Sequence, residues 1–224
     1  MGQGAVVVHS QEPRELTLRL MGAFEPCVVL ALIICRLWFL PGRTIGGFFV
    51  ACVLLPSILI VGWRKRKETL ASLGLIGKWW IVPWVLLGAG MMVVHQYHLF
   101  PRPDIFWKTC LGIAWYAPRS LAQEIALDAF FALRLKDLLG SRLFAGLLGG
   151  LIFCGCHLPN PLLMPVGLAW GTISCWIFLW MRRRNLYILS LIHATVGYWL
   201  ITVFAPHFMP WMSHPGAVAR GMLP

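Results

Sequence analysis

The sequence predicts an all-α polytopic membrane helix bundle, with about seven transmembrane helices around a polar intramembrane cavity. Three observations carry this. Hydrophobic residues make up 59% of the 224 residues and charged residues only 12%, whereas a soluble domain carries roughly a quarter charged residues. Apolar runs approaching the ~20 residues needed to cross a bilayer core recur along the chain. The basic residues fall on alternate connections between those runs. A mean hydropathy of +0.76 leaves too little polar surface to cover a water-soluble globule. The length accommodates one compact membrane domain.

In chain order, residues 1–22 are polar to mixed and predict a cytoplasmic tail, mobile or lying on the surface. Residues 23–205 form the predicted transmembrane domain, with spans near Cys27–Leu40, Ile45–Trp63, Trp79–Tyr97, Thr109–Leu135, Leu143–His157, Leu162–Met181 and Leu186–Ala205. The first and fifth are short and need their flanks to complete a crossing. Between the second and third, Arg64, Lys65, Arg66 and Lys67 open a cytoplasmic connection. The Leu70–Leu75 stretch that follows predicts a short amphipathic helix on the membrane surface. Residues 206–224 contain Pro206, Pro210, Pro215 and Gly216 and predict an irregular tail. No early segment has the pattern of a cleaved signal peptide.

The formal net charge is +11. With the N-terminus inside, the inside segments hold Arg14, Arg19, Arg64, Lys65, Arg66, Lys67, Lys78, Arg134, Lys136, Arg142, Arg182, Arg183 and Arg184. The outside segments hold only Arg43, Arg102, Lys108 and Arg220. The positive-inside rule thus accounts for the charge, with membrane lipids as the partner and no nucleic acid. The 7 cysteines lie in or beside apolar runs, so no disulfide framework is predicted. Cys154 and Cys156 read as small packing residues, with a metal site as the alternative. Tryptophans such as Trp63, Trp79, Trp80, Trp107 and Trp180 cluster near span ends, where they anchor at the interface.

Ionisable groups inside hydrocarbon are costly and mark function. Insertion scales put Asp, Lys or Arg at mid-helix near ~2.5–3.5 kcal/mol. Of 8 acidic residues, Glu124 and Asp128 fall deep in a span. Their i, i+4 spacing stacks them on one helix face, with Gln123 adjacent. Two ionised carboxylates so placed repel, so the pair is expected to hold one proton between them. The partners expected from other spans are His157 and His193. A carboxylate with a histidine can deprotonate water, and a second histidine can stabilise an oxyanion. The same Glu124, His157 and His193 trio is also a His₂Glu ligand set for zinc. The single-helix His-Glu-x-x-His pattern, Gly-x-Ser-x-Gly and the P-loop pattern are absent.

Three stretches, in order, are Gln123-Glu124-x-x-x-Asp128, Phe153-x-x-x-His157 and His193-x-x-x-Gly197. Together they resemble the CPBP (Abi) family of intramembrane proteases, the CAAX prenyl protease 2-like group. That family carries Glu-Glu-x-x-x-Arg, Phe-x-x-x-His and His-x-x-x-Asn. The resemblance covers roughly residues 64–205. It extends to Leu70–Leu75, to His157-Leu158-Pro159-Asn160-Pro161 and to Arg184–His193.

The resemblance implies an all-α bundle around a conical cavity open to membrane and cytoplasm. It implies a glutamic-type intramembrane endopeptidase that cleaves membrane-embedded or lipidated protein or peptide substrates without a cofactor. His157 would activate water with the first motif's glutamate, and His193 would be an oxyanion donor. Three positions depart from the pattern. Gln123 replaces the first glutamate, leaving Glu124 as the base. Asp128 replaces the arginine, so an arginine at 128 would be expected to pair with Glu124. Gly197 replaces the asparagine, leaving Asn160 or a backbone group as the second oxyanion donor. The alternative expectation is a catalytically inactive membrane scaffold or binding protein of the same fold. A compact chain of this kind fits a bacterial cytoplasmic membrane.

Overall fold

A computed structural model describes residues 12–40, 44–75, 103–158 and 160–213. These residues form six helices and, among them, no strand. Helix α1 is Glu12–Trp38 and α2 is Ile45–Lys65. Helix α3 spans residues 103–139 as one rod, α-helical over Pro103–Glu124, π-helical over Ile125–Ala132 and α-helical again over Leu133–Leu139. Helices α4, α5 and α6 are Arg142–Gly155, Leu163–Trp180 and Leu186–Ser213. Six of the seven predicted spans thus coincide with helices, three of them running one or two residues past a helix end. The remaining one, Trp79–Tyr97, falls outside the described residues.

Helix α2 and helix α5 are long and apolar enough to cross a membrane. Most of α2 faces outward. Large apolar side chains such as Ile45, Phe48, Leu111, Trp115 and Trp180 are exposed, an arrangement that water disfavours and lipid does not.

Three local expectations change. Helix α1 begins at Glu12, inside the segment 1–22 expected as a tail. Pro13 stands in its first turn, where the missing N–H costs nothing, and good helix formers follow from Arg14 to Met21. Helix α6 runs through Pro206 and Pro210 to Ser213, where the sequence predicts an irregular tail from 206. Prolines are tolerated in apolar helices when neighbouring groups take up the freed carbonyls.

The Leu70–Leu75 stretch is a turn, not a helix. Leu75 N–H reaches back to Leu70 C=O at 2.8 Å, and Gly74 sits at φ +76°, which ends the turn as glycine readily can. Leu186 N–H donates to Gly74 C=O, and the Tyr187 hydroxyl donates to Leu75 C=O at 2.9 Å. Leu73 is buried. This connection is therefore tied into the bundle beside the α5–α6 loop.

The core lies where α3 meets α4, α5 and the start of α6, around Leu127, Phe130, Phe131, Phe153, Phe178, Leu186 and Leu189. Small residues set the spacing. A Cβ at Gly171 of α5 would come within 2.8 Å of Phe153 Cβ and 3.0 Å of Gly150 Cα on α4. Glycines facing each other in this way let two helix backbones approach closely. At one end of the bundle, the fully buried Arg134 guanidinium pairs with Glu68 at 2.7 Å and Glu25 at 3.3 Å. It also lies over the Phe130 ring. Gly62 leaves the room that the Glu25 carboxyl occupies.

Candidate active site

Glu124 closes the first α-helical part of α3, and Asp128 lies in the π-helical stretch that follows. A π-helical turn widens the spacing of neighbouring side chains and recurs at functional sites. Both carboxyl groups are fully buried. The tight α4–α5 contact carries Trp170 and Ser174 of α5 against them. Trp170 Nε1–H donates to Glu124 Oε1 at 2.8 Å, and the Ser174 hydroxyl donates to Asp128 Oδ1 at 3.4 Å. From α6, His193 Nδ1 meets the same Glu124 Oε1 at 2.6 Å. A carboxylate only accepts, so Nδ1 carries the hydrogen and Nε2 of the neutral ring is left as the acceptor.

The second oxygens, Glu124 Oε2 and Asp128 Oδ2, are buried and receive no N–H or hydroxyl hydrogen among the described residues. The two carboxyl groups neighbour each other, one turn apart on α3, and the Cys175 thiol lies beside Asp128. A contact between two acceptors is satisfied only when a proton lies between them.

His157 does not reach Glu124. It lies in the turn after α4, where its Nδ1 donates to Phe153 C=O at 2.7 Å, again leaving Nε2 as the free acceptor. Phe153 separates the two imidazoles, with ring centroids 4.7 Å from His157 and 5.6 Å from His193. Both histidines line one cavity of about 50 Å³, together with Tyr116, Leu163, Gly167, Trp170 and Gly197. At roughly 10–15 Å³ per water centre, a few waters fit. Glu124 is not in the cavity wall. It stands behind the wall, hydrogen-bonded to two lining residues, His193 and Trp170.

The other sequence-selected residues have different surroundings. Asn160 is fully buried. Its Oδ1 accepts from Leu162 N–H and Leu163 N–H, capping α5, and its Nδ2 has no partner among the described residues. Gln123 Oε1 is likewise buried and unpartnered. Neither residue lines the cavity. Cys154 and Cys156 are free thiols. Among the described residues, no three His, Cys, Asp or Glu side chains come together as a metal-binding group.

Sequence reasoning missed Trp170 and Tyr116. Trp170 stands in the middle of a span, away from the interfaces where tryptophan anchors. An indole N–H at that depth needs an acceptor, which was the available signal. Comparisons with protein-family models, curated proteins and solved structures yield no match.

Proposed function

We propose that this protein is a multi-pass membrane hydrolase, an intramembrane endopeptidase acting on membrane-embedded or lipidated protein or peptide substrates. The observation that carries the reading is the buried Glu124–His193 hydrogen bond of 2.6 Å, made from behind the wall of a cavity that His193 shares with His157. A carboxylate on Nδ1 fixes the tautomer and orientation of an imidazole and stabilises its protonated form. His193 Nε2 is then the general base. It takes a proton from water as the water oxygen attacks the peptide carbonyl carbon, and later gives that proton to the leaving amine. His157, whose Nε2 is also an acceptor, holds the second hydrogen of that water.

This differs from what the family resemblance implies, in which His157 activates water and His193 binds the oxyanion. The contact with Glu124 favours His193 as base, with Glu124 acting through it. Gln123, Asp128 and Asn160 become supporting residues in this reading.

The membrane placement rests on the exposed apolar helices and on charge. Arg66 pairs with Asp137 at 3.0 Å, Arg134 with Glu68 and Glu25, and Arg184 donates to Ser72 C=O. Arg142 lies over Trp180. These contacts gather the basic connections at one end of the bundle. They support seven spans with the N-terminus inside, as in a bacterial cytoplasmic membrane.

The test is cleavage of a membrane-anchored peptide reporter by purified protein in nanodiscs. Glu124→Gln and His193→Ala are expected to lower turnover by about 10²-fold or more while the fold persists. Undiminished turnover in either variant would remove that residue from the mechanism. A second reading, a membrane scaffold or binding protein without turnover, is favoured by the size of the cavity, which holds a few waters and no peptide. It requires that both variants leave the cellular phenotype intact and that purified wild type cleave nothing.

A further inference from the structure

The reaction proposed above places negative charge on the substrate carbonyl oxygen, and something must donate a hydrogen bond to it. Both histidines enter the cavity as acceptors, because each uses its Nδ1–H elsewhere. Trp170 also lines the cavity, but its indole N–H is committed to Glu124. Among the described lining residues, that leaves one side-chain donor, the hydroxyl of Tyr116.

Its position follows from two glycines that shape the contact between α3 and α6. Gly112 makes room for Tyr198, and Gly197 makes room for Tyr116. A Cβ at Gly197 would lie 2.8 Å from Tyr116 Cε1 and 3.3 Å from its hydroxyl. The phenol therefore occupies the space that any side chain at position 197 would enter. The ring stands edge-on to His193, with centroids 6.4 Å apart at 73°. Arg119 lies over its face, 5.8 Å from the centroid, which holds the ring in place. The Tyr116 hydroxyl makes no hydrogen bond among the described residues. A phenol that only filled space between helices would bury an apolar ring equally well as phenylalanine, whereas a hydroxyl beside a cavity with room for water and two imidazoles in its wall has a partner to donate to.

We propose that Tyr116 is a catalytic residue whose hydroxyl donates to the oxyanion formed during His193-assisted attack of water. The proposal rests on the hydrolytic reading. It assigns the donor role to α3 rather than to position 197 of α6. The step moves no further proton. The hydroxyl keeps its hydrogen, the carbonyl oxygen gains the bond as the C–O π pair moves onto it, and both revert when the amine leaves. A preorganised donor of this kind is worth about 10²–10³ in kcat.

The experiment compares wild type and Tyr116→Phe in nanodiscs on the same membrane-anchored peptide reporter. It is paired with the affinity of each for a peptidyl boronate, whose tetrahedral adduct carries the charge of the intermediate. Phenylalanine keeps the ring, so the melting temperature should stay with wild type. The expected result is kcat lower by ~100-fold, KM within about 2-fold, and boronate affinity lower in proportion to kcat. Unchanged kcat overturns the assignment alone, as does lost kcat with boronate affinity unchanged. A wild type without turnover overturns the hydrolytic reading and this assignment together.

Discussion

At the scale of single residues, the Glu124–Asp128 pair makes the sharpest demand. Each carboxyl uses one oxygen on a donor from another helix, Glu124 on Trp170 and His193, Asp128 on Ser174. The remaining oxygens have no N–H or hydroxyl donor among the described residues; the carboxyls neighbour each other, and the Cys175 thiol lies beside Asp128. Two ionised carboxylates buried side by side would repel strongly, so one proton is expected to belong to the pair. Infrared spectra in nanodiscs at pH 7 should show a protonated C=O band that disappears in Asp128→Asn. That variant should keep its fold, because an amide can donate as the shared proton does. Two ionised carboxylates with no such band would mean that water reaches the pair. Arginine at 128 was expected from the sequence to pair with Glu124. Asp128 is fully buried beside Ser174 and Cys175, and a longer cation there would have to displace packed side chains. Asp128→Arg is therefore expected to lose folded protein, read as recovery on size-exclusion chromatography.

At the scale of elements, the site depends on how closely α4 and α5 approach. Gly150 and Gly171 meet nearly backbone to backbone, and a Cβ at Gly150 would come within 2.8 Å of Leu168 C=O and 2.9 Å of Thr172 N. Backbone atoms cannot move aside as a flexible side chain can. Gly150→Ala should therefore cost about 1–3 kcal/mol by overpacking, measured by thermal unfolding in detergent. It should also lower activity by drawing Trp170 away from Glu124. Gly155, five residues after Gly150, has nothing within 4 Å of its Cβ position. Gly155→Ala should be neutral or stabilise by up to about 1 kcal/mol. Equal losses in both variants would show that helix propensity or lipid contact, not the α4–α5 approach, governs this segment. The π-helical part of α3 belongs to the same scale. It offsets the helical register between Glu124 and Leu133, so both carboxyls and the Phe130–Phe131 pair face the core.

At the scale of the whole molecule, Arg134 ties three segments together: α1 at Glu25, the connection after α2 at Glu68, and α3 itself. Its guanidinium is inaccessible, while Glu25 and Glu68 are 23% and 16% exposed. Arg134→Met would strand two carboxylates beside an apolar wall. Breaking a buried pair costs about 3–5 kcal/mol. The partial exposure of both acids places the expected loss at the lower end, measured by chemical denaturation in mixed micelles. An unchanged midpoint would mean that water already solvates the cluster. Orientation is testable in a chain whose native cysteines are replaced by serine. Lys67→Cys and Arg183→Cys should react only with reagent on the cytoplasmic side, and Phe39→Cys only from the other. Labelling of all three from one side would refute the seven-span arrangement. The first two positions are exposed in loops at the end of the bundle where the basic residues gather, and Phe39 follows the last turn of α1.

The sequence by itself determined the helices and the residues worth watching. Apolar runs write α2, α4 and α5 to within two residues of their ends, because outward-facing and core-facing positions are both apolar and a run reads without reference to its neighbours; α3 extends six residues before its run and four beyond it. It also determined that Glu124 and Asp128 share a face, since helical spacing is local. The ends of α1 and α6 were less legible, because polar and proline-bearing turns can continue a helix or leave it. Which histidine meets Glu124 was decided only by the tertiary structure. The choice of His193, and the recruitment of Trp170 and Tyr116, follow from the rotation and separation of packed helices. Those quantities are set jointly by glycines such as Gly150, Gly171 and Gly197 on separate helices. No pattern within one helix carries that information, because the contact exists only once two helices have met.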